Sequence, residues 1–240
     1  MSNRQQEIER LHEAERLHEQ LINCRRCPRL VEWREGVAKA PPRRHLGKEY
    51  WARPVPNFGQ HDARVMLVGL APGAHGSNRT GRVFTGDGSG VFLFASLFRT
   101  GFSNQPESRD RFDGLRLNDM YITAAVRCAP PMNKPTLEEI ANCRPYLLRE
   151  LELLTKLRVV IGLGKIGFDA AFDALRQTGF TDLKPRPRFG HATEVKLSTR
   201  LTLLGTYHPS QQNTFTGKLT EAMMDAVFVR ARQLVNAETV

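Results

Sequence analysis

The chain has 240 residues, with 35 Lys and Arg against 25 Asp and Glu and a formal charge of +10. That length suits one domain, residues 1–240, around one large core, and the basic excess suits an anionic partner, nucleic acid first. No run approaches the roughly 18 apolar residues of a membrane span, and the charged start Met1 to Glu7 is no signal peptide, so a soluble, cytoplasmic monomer with no membrane partner is expected.

In chain order, Ile8, Leu11, Ala14, Leu17 and Leu21 fall at helical spacing and predict an amphipathic helix over 4–22, with His12 and His18 facing solvent. From Ala38 to Gln60 the chain is rich in Pro, Gly and Arg and reads as an extended loop. Its Tyr50 and Trp51 either line a nucleic-acid groove or pin the loop to the core. Arg64–Val68 is a buried strand, and a helix follows from Val91 with Ser89 as its N-cap. Met120–Val126 is a second strand. Thr136 caps the next helix, in which Pro145 is a kink or break. Val159–Ile161 is a third strand, followed by a helix over 165–177. Further strand is expected at 195–197 and 201–205, and a last helix from about Thr216. Strands alternating with helices imply an α/β three-layer sandwich, a mostly parallel sheet flanked by helices.

Two loops leave strand ends with chemistry in them. The first, Gly69–Gly90, holds seven glycines in 22 residues, with Phe84 three residues before Asp87, its sole carboxylate. Glycine lets backbone approach a ligand closely, and open α/β sheets bind ligands at such strand ends. An aromatic face beside a lone carboxylate suits a flat ring undergoing polar chemistry, although a long structural loop has the same composition. The second loop, Thr206–Asn213, places His208 at the same edge of the sheet. A third segment, Gly162-Leu-Gly-Lys-Ile-Gly167, has dinucleotide-fingerprint spacing, but the zone that should supply a ribose-binding acid is the basic loop 181–188. Lys165 at that helix start suits a single phosphate, including one of a DNA backbone. Arg43, Arg44, Lys184, Arg186 and Arg188 are further phosphate candidates.

The four cysteines are spaced Cys24-x2-Cys27, then 100 residues, then Cys128-x14-Cys143. In a reducing compartment they point to metal or catalysis rather than disulfides. Cys27 is followed by Pro28, as is common at iron–sulfur ligands. Spacing alone leaves a [4Fe-4S] cluster, a structural zinc and four unrelated cysteines open.

At these motifs the chain resembles the iron–sulfur-containing family 5 uracil-DNA glycosylases. Gly69-Leu-Ala-Pro-Gly73 is similar to the family's first motif. His208-Pro-Ser210, with Asn213 and the run Thr216–Thr220, is similar to the second. The resemblance covers nearly the whole chain and implies a monofunctional glycosylase acting on DNA that contains uracil or other deaminated bases. It makes Cys24, Cys27, Cys128 and Cys143 the ligands of a structural [4Fe-4S] cluster. Asp87, His208 and Asn133 become catalytic residues. Gly69, Ala71, Gly73, Phe84, Ser210 and Asn213 become substrate-binding residues, and Lys165, Arg186 and Arg188 backbone contacts. Members of the family place no acid at the third position of the first motif, where this chain has Ala71, and Asp87 is similar to the carboxylate that acts instead. Ala124 stands where family 4 reads uracil with Asn, which implies relaxed discrimination for uracil. Gln211-Gln212 offers no apolar wedge after His-Pro-Ser. The alternatives are a non-catalytic iron–sulfur or zinc nucleic-acid-binding module, which leaves Asp87 and His208 unexplained, and a nucleotide-dependent oxidoreductase using Gly162–Gly167.

Overall fold

The computed structural model describes residues 3–237. Four strands, β2 (Val65–Gly69), β3 (Met120–Ala124), β4 (Val159–Leu163) and β6 (Thr202–Thr206), run parallel at the centre of one six-stranded sheet. Short antiparallel strands close its edges, β1 (Phe58–Gly59) beside β3 and β5 (Glu194–Lys196) beside β6. The order is β1-β3-β2-β4-β6-β5. Every residue of the four central strands is buried, which is why they read as apolar runs rather than as alternating patterns.

Alternate residues of each strand face opposite sides. Val65, Leu67, Ile122, Ile161 and Leu204 pack with Leu93, Phe94 and Leu97 of α4 (Gly88–Arg99) and with Met224 and Phe228 of α8 (Glu221–Asn236). Met66, Val68, Tyr121, Val160 and Leu203 pack with Leu147 and Leu151 of α5 (Leu137–Leu153) and with Phe168 and Phe172 of α6 (Gly164–Gln177). Helices on both faces give the three layers expected. On the second face α1 (Asn3–Ile22) lies against α5. Among the described residues no helix is long and apolar enough to cross a membrane.

Four local expectations are corrected. The cap of α4 is Asp87, whose Oδ1 accepts the Gly90 amide at 3.0 Å, rather than Ser89. Pro145 does not break α5, because Tyr146, Leu147, Glu150 and Leu151 on the following turns are buried, and that packing outweighs the lost backbone bond. The last helix starts later, behind the Thr220 cap, and 211–215 forms a separate short helix, α7 (Gln211–Phe215). The region 38–60 is not wholly extended: it carries a 3-10 turn at Arg43–His45 and β1, and α2 (Pro28–Lys39) runs into its start. Trp51 pins this segment, donating from Nε1 to the Pro54 carbonyl at 3.0 Å and packing against Gly81.

The spacing of Gly162, Gly164 and Gly167 has a packing origin. A Cβ at Gly162 would lie 2.6 Å from Cβ of Phe168, and one at Gly167 would run into the Val68 carbonyl. Both absences seat α6 tightly on β2 and β4.

Candidate active site

The loops that follow β2, β3 and β6 all leave the C-terminal edge of the parallel sheet, and the chain switches sides at β2, where open α/β sheets form a crevice. There a cleft of about 950 Å³ is lined by residues 70–77, 83, 84 and 86–89 of the first loop, Pro130, Met132 and Asn133 after β3, and His208, Ser210 and Gln211 after β6. Ala124, at the end of β3, contributes a methyl group to its wall.

The glycine loop is held by its own polar groups. Arg79 donates from Nε to the His75 carbonyl at 2.9 Å and from Nη2 to the Gly86 carbonyl at 3.4 Å, clamping the loop's two halves together. Buried Arg82 binds Asp113 through both terminal nitrogens and Thr85 through Nε. That guanidinium and the Leu115 and Arg109 amides hold the Asp113 carboxyl well below the usual range, against its burial. Within this frame Phe84 takes a left-handed φ of 51°, a conformation costly for a bulky residue and found where surroundings dictate it. Its ring lies over Gly69, where a Cβ would come within 2.7 Å of Cζ.

Asp87 has two occupations. One oxygen caps α4. The other, Oδ2, sits against the turn 73–76, at 2.8 Å from where a Cβ on Gly73 would be, so the carboxylate fills space that side chains at 73 or 76 would take. His208 lies across from Phe84, ring centroids 6.0 Å apart and planes at 38°. Asn213 Nδ2 donates to the His208 carbonyl at 2.8 Å, and Gly164 leaves room beside the His208 Cβ. Burial pushes His208 down to about 4, which keeps the ring neutral near pH 7 with one N–H to donate. Met132 and Asn133 are consecutive left-handed residues, φ 53° and 56°, in the turn that brings Asn133 to the rim.

Of the expected site residues, Ala71, Gly73, Phe84, Asp87, Asn133, His208 and Ser210 line the cleft. Gly69 and Asn213 do not; they position Phe84 and His208 from behind. Ser210 also caps α7, accepting the Asn213 amide. None of the three expected backbone contacts lines the cleft. Lys165 pairs with Asp169, and Arg186 pairs with Asp173 at 2.6 Å and with Asp169 at 3.6 Å, while Arg188 is exposed. Trp33, Arg44, His45 and His75 line the cleft without having been singled out as base-site residues. Trp33 belongs to α2, which periodicity does not reveal.

The four cysteines line one small cavity between α1, the start of α2, the turn after β3 and α5. Among the described residues no three His, Cys, Asp or Glu side chains converge closely enough to hold a metal ion. Burial pushes the Cys128 thiol up to about 11 and Cys143 up to about 12. Three sulfurs accept N–H groups: Cys128 from Arg34 at 2.9 Å, Cys143 from the Arg127 amide at 3.3 Å, and Cys27 from Asn142 at 3.7 Å.

Comparison with known proteins agrees with this architecture. The family model described as the uracil DNA glycosylase superfamily matches residues 56–232. A type-5 uracil-DNA glycosylase of Thermus thermophilus is 50% identical over 216 residues, 89% of this chain and 94% of the relative. One from Mycobacterium leprae is 48% identical over 219 residues, 91% and 94% of the two chains. A type-4 uracil-DNA glycosylase of Pyrobaculum aerophilum is more distant, at 31% over 201 residues, 82% and 83%. The chain therefore belongs to the uracil DNA glycosylase superfamily and, within it, to the type-5 uracil-DNA glycosylases.

Proposed function

We propose that the protein hydrolyses the N-glycosidic bond of uracil, and of other deaminated bases, flipped out of DNA, leaving an abasic site. The observation that carries this reading is the convergence of Phe84, Asp87, Asn133 and His208 on one cleft at the sheet's active edge. Target atoms inside a duplex are out of reach, so the nucleotide must leave the stack, which is easiest from a mismatch. The Phe84 ring stacks on the base, and backbone groups of 70–76 meet its polar edge. As the bond breaks, negative charge grows on the base and positive charge on the sugar. His208, neutral and fixed from behind, donates its N–H to the departing base. The Asp87 carboxylate balances the sugar's charge and, with Asn133, orients the attacking water. Neither Gly69–Gly90 nor Thr206–Asn213 contains a lysine, so no Schiff base forms and strand cleavage waits for alkali.

At Ala71 and Ala124 the cleft wall carries only methyl groups, with no acid or amide reader at those two positions, and the missing amide at Ala124 supports relaxed base choice. Duplexes with single U·G, U·A, hypoxanthine·T and T·G pairs test this. Release of uracil and hypoxanthine is expected. Activity confined to uracil would remove the wider specificity, and DNA binding with no product would leave a non-catalytic module. Gly69→Ala is expected to drive a Cβ into the Phe84 ring, raising KM several-fold and costing about 1–3 kcal/mol of stability by overpacking, read by excision kinetics and thermal denaturation.

The four cysteines are proposed to hold a structural [4Fe-4S] cluster. Support comes from their shared cavity, the N–H groups directed at their sulfurs, and a donor set of soft thiolates. Once bound, the cluster supplies a cross-link between the 24–27 turn and the 128–143 region. Arg44 at the cleft rim and exposed Arg188 remain the backbone-contact candidates, with Lys165 and Arg186 engaged by acidic residues of α6. The enzyme is read as a monomer acting on intracellular DNA, with no membrane partner.

A further inference from the structure

We infer that Arg34 is the counter-cation of the cysteine site, its guanidinium facing the metal–thiolate group. The inference rests on the reading that the cysteines hold a metal centre. Arg34 is 2% exposed and heads the largest fully buried side chains. Its Nη1 donates to Cys128 Sγ at 2.9 Å and its Nη2 to the Cys24 carbonyl at 3.3 Å, so one side chain reaches both halves of the cysteine set. Its Nε is buried with no partner among the described residues.

A guanidinium stays charged wherever it lies, and buried charge demands an opposite charge beside it. The other fully buried guanidinium among the described residues, Arg127, meets that demand with Glu150, both side chains 1% exposed. Arg34 has no such carboxylate. Its one acidic contact among the described residues is Glu35 at 3.9 Å, which is a third exposed and hydrogen-bonded to Arg25. Protonated thiols are neutral and leave the charge uncompensated. A thiolate-bound centre carries net negative charge and supplies what is missing, with Nε free to take a further acceptor on that group. The other N–H donors to sulfur among the described residues, Asn142 and the Arg127 amide, are uncharged, so among those residues Arg34 alone adds positive charge by direct contact.

The position also ties the site to the cleft. The Arg34 carbonyl accepts the amide of buried Asn78 at 3.1 Å, at the foot of the glycine loop, and its neighbour Trp33 lines the cleft. A side-chain substitution keeps that carbonyl in place, so Arg34→Met probes the guanidinium and not the Asn78 link.

The experiment compares full-length parent, Arg34→Met and Arg34→Lys for iron and acid-labile sulfide per chain, iron loss to a chelator, and the cluster's midpoint potential. Supporting groups beside metal ligands are worth about 10–100-fold in metal affinity. Arg34→Met is therefore expected to lose iron at least tenfold faster, with its potential shifted negative. Arg34→Lys should restore the potential but only part of the retention, because a point charge cannot bridge Cys128 and the Cys24 carbonyl. Parental retention and potential in Arg34→Met would overturn the inference. Should that variant not fold, Arg34→Lys carries the test: several-fold faster iron loss supports it, and parental retention overturns it. A parent carrying zinc instead of iron and sulfide overturns the cluster reading alone, and the same contrast in zinc retention then decides Arg34. A metal-free parent overturns both.

Discussion

His208→Ala is expected to slow single-turnover release of uracil by about 10²–10³-fold while DNA binding changes little, the usual cost of removing one donor to a developing anion in a closed site. The effect is large because the ring is held rather than merely present. Asn213 fixes its carbonyl, Gly164 makes room for its Cβ, and the Phe84 ring packs beside it with centroids 6.0 Å apart. The same burial sets the pH dependence. Pushed down from 6.5 to about 4, the ring stays neutral, so the rate should show no inflection from His208 between about pH 5.5 and 8. Between about 4 and 6.5 the unfolded chain binds the proton that the folded protein refuses. Stability therefore falls as pH drops through that window, and His208→Ala should flatten the fall. An activity step near 6.5 would mean that the ring titrates freely.

The second large effect separates the two occupations of Asp87. Asn is as good an N-cap as Asp, so Asp87→Asn should keep α4 and the melting temperature while losing about 100-fold or more in rate with the carboxylate. Asp87→Ala should lose the same rate and also about 1 kcal/mol of stability, because the Gly90 amide loses its acceptor. Equal stability of the two variants would remove the capping role. Near-parental rate in Asp87→Asn would transfer the water-orienting work to Asn133, a distinction that excision kinetics beside thermal denaturation makes directly.

Much of this site was legible because buried parallel strands are continuous apolar runs, and whatever follows them lies on one edge. The strands expected at 64–68 and 201–205 lie within one residue of Val65–Gly69 and Thr202–Thr206, and Phe84, Asp87 and His208 follow them to the cleft. Thr136 was legible as a cap because its capping box with Glu139 is local. What stayed hidden depends on distant partners. Gly69 and Asn213 look like ligand contacts in the sequence, and only packing reveals that they support Phe84 and His208. Arg186 looks like a phosphate ligand until Asp169 and Asp173, more than a dozen residues away, are brought beside it. α2 was missed because its buried face includes Arg34, a residue no apolar pattern counts, and with it went Trp33 at the cleft. Asp87 and Ser89 are both good caps two positions apart among glycines, and local rules do not choose between them.

The glycosidic bond is expected to be hydrolysed without a covalent lyase step. The most direct test is a single-turnover reaction on a duplex with one U·G pair, scoring free uracil by chromatography and strand breaks before and after alkali. One uracil released per break, with breaks appearing only after alkali, is the predicted result. Breaks without alkali, or breaks without free uracil, would contradict it.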